Sequence, residues 1–373
     1  MSDLASVAIA AGVGTGFGFF LEKGRVFEPS IIVNQFDFSN NTMLKMFLSA
    51  VASSMCVQGA LSVMGSAQQK QEDARRKNLE PRNFVATAVG GAMLGTGMAI
   101  CGACPGTVAV QVGAGLYETG LTIMSGGLLA ALSYSLLEPK LRHWTSSKPK
   151  TSPKQSSVDR ALNCSFWKVA LVMAGGLAGV VALLENYFPW YTQVGLSEPP
   201  FPSSAVLHGE VPLMSLLKLR EWPAYVAGAG IGLLQLPLIT MLRQTIGTSS
   251  SYVTCVANTV CAAAPNSDLA KNQYLQRKKH GYWQVGLVGG VMAGAFLSSH
   301  LSGSFASASA LAQSPLLSLL GGFLIVGGSR LADGCTSGHG ISGMSSLALT
   351  SFVAVPAMFA AGIATSFIRS TFF

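Results

Sequence analysis

The chain has 373 residues; half are hydrophobic, only 11% are charged, and the formal net charge is +8. Soluble domains carry about a quarter charged residues, so this composition excludes a soluble enzyme or binding module and points to a polytopic helical membrane protein. The basic residues lie in loops beside apolar runs, where they orient insertion, and no nucleic-acid partner is expected.

Taken in chain order, apolar runs near the membrane-spanning length of roughly 17 to 25 residues recur nine times. They cover about 5–21, 43–66, 83–100, 120–138, 166–184, 223–242, 281–299, 315–331 and 345–368. The first run lacks a basic n-region and a cleavage site, so it reads as a span rather than a cleaved signal. Three intervening segments, 101–117, 249–265 and 332–344, are too short or too broken to span. Irregular backbone survives at membrane depth only where protein or a polar cavity satisfies it, which makes each a candidate re-entrant loop.

Nine spans assign each loop to a side. "QKQEDARRKNLEPR", "KLRHWTSSKPKTSPKQSSVDR" and "KNQYLQRKKH" all fall on the side of the N-terminus, and that side receives 17 of the 24 Lys and Arg, from Lys70 to Lys279. The positive-inside rule then places the N-terminus in the cytoplasm and the C-terminus opposite. The Ser-, Lys- and Pro-rich loop 140–160 reads as disordered.

An internal repeat links two of the candidate loops. "GGAMLGTGMAICGAC" (90–104) aligns without a gap to "GGFLIVGGSRLADGC" (321–335), matching Gly97 to Gly328 and Cys104 to Cys335. Four spans per half, joined by the fifth, give the halves opposite orientations, a recurring transporter architecture with its site where interrupted helices meet. The expected fold class is therefore all-α, with about nine transmembrane helices in two inverted halves and short re-entrant loops meeting at the membrane centre. The expected division is 1–139 for the first repeat, 140–165 for a basic polar loop, 166–222 for the linking helix and outer loop, and 223–373 for the second repeat.

Seven scattered cysteines, an odd number in mostly apolar context, do not form a secreted disulfide framework. Most read as buried structural thiols; Cys164 reads as incidental, and Cys255 and Cys261 as packing residues, with Cys261 facing the pore as the alternative. Cys101 and Cys104 form a C-x-x-C, but no second ligand pair accompanies it for zinc. No quinone, haem or flavin signature is present, so neither a cofactor nor an enzymatic activity is expected.

The motifs "GCTSGHGISG" (334–343) and "CGACPGT" (101–107) resemble those of the YeeE/YedE sulfur transport family, and the likeness extends over nearly the whole chain. The resemblance implies thiosulfate uptake through an hourglass pore of nine spans, pinched by short loops whose cysteines pass the anion along by S–H···S hydrogen bonds. It carries Cys104 and Cys335 over as two such cysteines. A third family cysteine follows the first span, where this chain has Phe27 in "KGRVF". Cys56 and Cys101 are the available substitutes.

The chemistry fits a dianion that must shed water at a constriction. "PGTVAVQV" and "SGHGISGMSSL" each read as the start of a short helix whose N-terminus attracts anions, with Pro105 suited to the first turn. Gly106, Thr107 and Thr336 complete the two loop motifs, and Gly334, Gly338 and Gly340 let backbone amides approach a ligand. Thiols donate weakly, which suits sites that must also release their ion. A protonated thiol avoids adding like charge.

Arg330 and Asp333, three residues apart, are expected to pair on one face, locking the loop or lending the pore a positive potential. His339 either meets substrate or bonds backbone carbonyls. Glu22, Lys23, Arg25 and Glu138 read as interfacial anchors. The expected partners are thiosulfate, the lipid bilayer and, at the basic loops, a cytosolic sulfur-handling protein. The alternative cargo is a metal ion or another small solute using the same Cys and His loops.

Overall fold

The computed structural model describes residues 3–80, 82–145, 156–201, 211–308 and 314–372. Among them nine helices are long and apolar enough to cross a membrane, and no β-strand forms. The spans are α1 (Asp3–Lys23), α3 (Thr42–Val63), α5 (Phe84–Cys101), α7 (Tyr117–Thr145), α8 (Phe166–Tyr187), α9 (Ala224–Leu242), α12 (Tyr282–Leu301), α13 (Pro315–Ala332) and α14 (Leu349–Phe372). Shorter helices lie between them: α2 (Pro29–Asn34), α4 (Gly65–Asn78), α6 (Thr107–Gly113), α10 (Ser250–Ala263) and α11 (Gln273–Lys278). The protein is an all-α polytopic membrane protein.

Small residues set the packing, as expected where lipid supplies no hydrophobic drive between helices. α1 and α12 run side by side so closely that a Cβ on Gly14 would overlap the Leu287 carbonyl, and one on Gly290 the Ala11 carbonyl. α3 and α9 repeat this contact, with Gly228 against the Met46 carbonyl and Gly232 against Ser53. α5 packs on α14 through Gly91 against Ala354 and Gly95 against Met358. α7 packs on α13 through Gly322 against Ile123 and Gly126 against Leu319. At the centre α5 and α13 cross antiparallel, Gly90 meeting Gly328 and Gly97 meeting Gly321. By contrast α8 leaves Gly175, Gly176 and Gly179 facing open space.

The two central helices stop in the same way. α5 ends at Gly102 (φ 60°, ψ 37°) and α13 at Asp333 (φ 63°, ψ 29°), both left-handed. Glycine adopts that region freely; aspartate is among the few other residues that tolerate it. Each stop turns the chain off the helix axis and into a loop carrying Cys104 or Cys335.

Several expectations are corrected. Segment 249–265 is not broken: α10 is an uninterrupted helix of 14 residues. Its serine-rich start reads like a loop, but nothing inside it breaks a helix. α7 continues through Pro139 to Thr145 and so takes up the beginning of the basic loop, while 146–155, on which the expectation of disorder falls, lie outside the described residues. Glu22, Lys23 and Arg25 are buried rather than interfacial. Glu22 accepts from Ser298 Oγ (2.5 Å) and Ser304 Oγ (2.7 Å), and Lys23 Nζ donates to the Leu219 carbonyl at 2.7 Å.

Candidate functional site: two cysteine loops and a line of cavities

Past Gly102 the first loop is held by its own side chains. Thr107 Oγ1 accepts from the Cys104 amide at 2.7 Å, and the Thr107 amide points back to Cys104 Sγ at 3.5 Å. Gln111, fully buried, donates to the carbonyls of Gly102 and Phe27, both at 3.0 Å. This ties the loop to the end of α1. Pro105, Gly106 and Thr107 are all buried, and α6 begins at Thr107.

The second loop, after Asp333, winds residues Thr336–Gly343 into a π-helical segment with Cys335 at its N-cap. Such wide turns concentrate at functional sites, and here small residues permit it: Gly340 abuts the Phe47 ring and Gly343 abuts Ser351. Two buried glutamines hold it. Gln235 Nε2 donates to Ser342 Oγ at 2.8 Å, and Gln58 Nε2 donates to Ser345 Oγ at 2.7 Å. Cys335 Sγ lies 3.2 Å from Ser337 Oγ and 3.7 Å from Thr248 Oγ1. Thr336 donates to the thioethers of Met98 (3.5 Å) and Met358 (3.7 Å).

Three small cavities lie against these loops. The first, about 40 Å³, is lined by Cys104, Gly106, Thr107, Thr336 and Ser337, with apolar walls from α1, α3 and α9. The second, about 10 Å³, is lined by Gly334, Cys335, Thr336, His339 and Met358. A polar third, about 60 Å³, holds Lys77, Arg82, Asp333, Gly338 and His339. Thr336 is common to the first pair and His339 to the second pair. The smallest, beside Cys335, has about the volume that one water needs.

Arg330 and Asp333 do not pair with each other. The left-handed turn carries Asp333 off the helix face, and its carboxylate meets Arg82 from the α4–α5 connection. Although partial desolvation works to raise it, Arg82, Lys278 and Arg330 hold the Asp333 carboxyl below its ordinary range. Arg330, itself buried, donates to Ser250 Oγ at 3.1 Å and to Ser249 Oγ, leaving its Nε without an acceptor among the described residues. His339 holds the loop: its Nδ1 lies 2.9 Å from Ser351 Oγ and its Nε2 lies 3.0 Å from the Ala332 carbonyl.

Cys101 stands apart from the cavities. It closes α5 with its Cβ against Gly321 and its thiol 3.8 Å from the Ala103 carbonyl. Cys56 opens onto a lateral groove between α3, α8 and α9, and Cys261 Sγ accepts from Gln276 rather than facing the cavities. Among the described residues no three His, Cys, Asp or Glu side chains gather as a metal site.

The profile of the sulphur transport family matches residues 23–365. The chain belongs to that family. Among its relatives is the thiosulfate transporter TsuA of Escherichia coli, 22% identical over 332 residues that cover 88% of this chain and 84% of that protein. The thiosulfate transporter TsuA of Spirochaeta thermophila is 24% identical over 365 residues, covering 92% of each chain. For a sulphur transport protein, the unforeseen residues at the loops are Thr248, Gln58, Gln235, Gln111 and Arg82. None lies in a motif. Only the unusual placement of glutamine within apolar spans, as at Gln58 and Gln235, marks any of them in the sequence.

Proposed function

We propose that this protein carries thiosulfate across the membrane along the line of cavities, with Cys104 and Cys335 presenting their thiols to the passing anion. One observation carries the reading: both thiols line consecutive cavities that share Thr336. Pro105, Gly106 and Thr107 shape the Cys104 side, and Gly334, Gly338 and His339 shape the Cys335 side. Arg330 supplies positive potential from behind Ser249 and Ser250. Cys101 contributes through packing at the crossing of the central helices. The names of the two relatives support thiosulfate as the cargo. The soft terminal sulfur of that anion suits a thiol donor, and a thiol binds weakly enough to let it leave.

The halves, 1–139 and 223–373, are inverted copies joined by the linking span within 166–222, with the basic loop 140–165 beside it. The packing supports this. In the register that matches Cys104 with Cys335, Gly90 against Gly328 exchanges with Gly321 against Gly97, and Gly91 against Ala354 exchanges with Gly322 against Ile123. The left-handed stops at Gly102 and Asp333 occupy matching positions as well. The N-terminus is cytoplasmic by the distribution of basic residues, so the Asp333–Arg82 cavity is the inner exit. The basic loops on that side are suited to a sulfur-handling protein that collects the cargo.

The test is uptake of radiolabelled thiosulfate by the whole protein in proteoliposomes, with excess unlabelled sulfate present. Saturable uptake that resists sulfate is expected. Absence of uptake by correctly folded protein, or its abolition by sulfate, would overturn the assignment of cargo.

A further inference from the structure

Thr248 lies two residues before α10 and is fully buried, and its hydroxyl makes only long contacts. Its Oγ1 lies 3.5 Å from Ser337 Oγ and 3.7 Å from Cys335 Sγ. A well-made O–H···O bond is about 2.7–2.8 Å. The same oxygen also faces the first loop, for a Cβ on Gly106 would lie 3.4 Å from it. Thr248 therefore stands where the Cys104 and Cys335 loops approach each other. Ser337, also buried, directs its hydroxyl to within 3.2 Å of Cys335 Sγ.

Leaving a buried hydroxyl without a full hydrogen bond costs about 1–3 kcal/mol. Thr248 makes only long contacts, and Ser337, which bonds the Cys335 thiol, lines the cavity it shares with Cys104, so the two hydroxyls stand beside one thiol at the edge of that cavity. We propose that Thr248 and Ser337 form a hydroxyl subsite that holds the oxygens of the passing anion while Cys335 meets its terminal sulfur. The inference rests on thiosulfate being the cargo. It assigns the two ends of that anion to different donors, hydroxyl for the hard oxygens and thiol for the soft sulfur. An ion with only one kind of end satisfies half of the set. Arg330 keeps the subsite in place by donating to Ser249 and Ser250, the two residues that follow Thr248. The subsite also supplies a third contact where Phe27 leaves no third thiol.

The experiment compares Thr248→Val, which removes the hydroxyl at nearly constant shape, with Thr248→Ser, which keeps it. Initial rates of labelled thiosulfate uptake into proteoliposomes give KM and maximal rate for each. Thr248→Val is expected to raise KM about tenfold, the loss of one charge-assisted hydrogen bond, and Thr248→Ser to stay within about twofold of wild type. An unchanged KM in Thr248→Val, or equal losses in both variants, would overturn the subsite while leaving the cargo standing. Wild-type protein that takes up no thiosulfate would overturn the cargo and the subsite together. If Thr248→Val does not fold, Ser337→Ala reads the same subsite from its other hydroxyl, with the same rise in KM expected.

Discussion

Thr107 illustrates how much one side chain does at this site. Its hydroxyl accepts the Cys104 amide and its own amide turns toward the thiol, so one residue fixes both the backbone and the direction of the sulfur. Thr107→Val strands a buried N–H, and stability should fall by about 1–3 kcal/mol, read as a lower thermal midpoint in detergent; Thr107→Ser should restore it. The Arg82–Asp333 pair stands differently, because both side chains remain partly exposed. Arg82→Gln should therefore change stability by less than about 1 kcal/mol, and a larger drop in the same melt would mean that the pair bears the loop's structure. Cys104 and Cys335 were legible in the sequence because each ends an apolar run in a glycine-rich motif. Thr248 was not, since its contacts come from residues far along the chain. Asp333 was expected to pair with Arg330, and its actual partner Arg82 was not legible, because the turn that redirects it depends on one left-handed residue.

Helix contacts in this molecule divide into those made backbone to backbone and those with room to spare. On α1 and α12, Gly14 and Gly290 each lie against a carbonyl of the other helix, whereas Gly175 on α8 meets nothing. Overpacking costs about 1–3 kcal/mol or more where neither backbone can retreat. Gly14→Leu and Gly290→Leu should each lower the thermal midpoint and the yield of monodisperse protein, with Gly175→Leu close to wild type. Equal effects at all three positions would mean that helix propensity, not close approach, is being measured. All nine spans were legible because apolar length is a direct signal, and seven of them begin within two residues of the expected start. α10 was misread because a serine-rich start imitates a loop when viewed without the thiol and the arginine that its serines and Thr248 serve. The π-helical turn after Cys335 was legible only as irregular backbone, since its winding depends on Phe47 and Ser351 filling the space that glycines leave.

At the scale of the whole molecule, exchanging the halves maps the close helix contacts onto one another, and the two cysteine loops lie at the centre of that exchange. An odd number of spans, as proposed from the nine among the described residues, puts the termini on opposite faces. Protease-cleavable tags at the two ends, tested in sealed vesicles of one orientation, should be cut from opposite sides; cleavage of both from one side would contradict the arrangement. The proposed repeat rests in the sequence on fifteen aligned residues, and the exchange of neighbours that supports it was not legible there, because that property belongs to packing. The central claim is that the anion passes both thiols in turn. The direct measurement is labelled thiosulfate uptake into proteoliposomes by wild type, Cys104→Ala and Cys335→Ala at matched amounts of folded protein. Loss of most uptake in each variant is the result expected, and wild-type uptake in both would contradict the account.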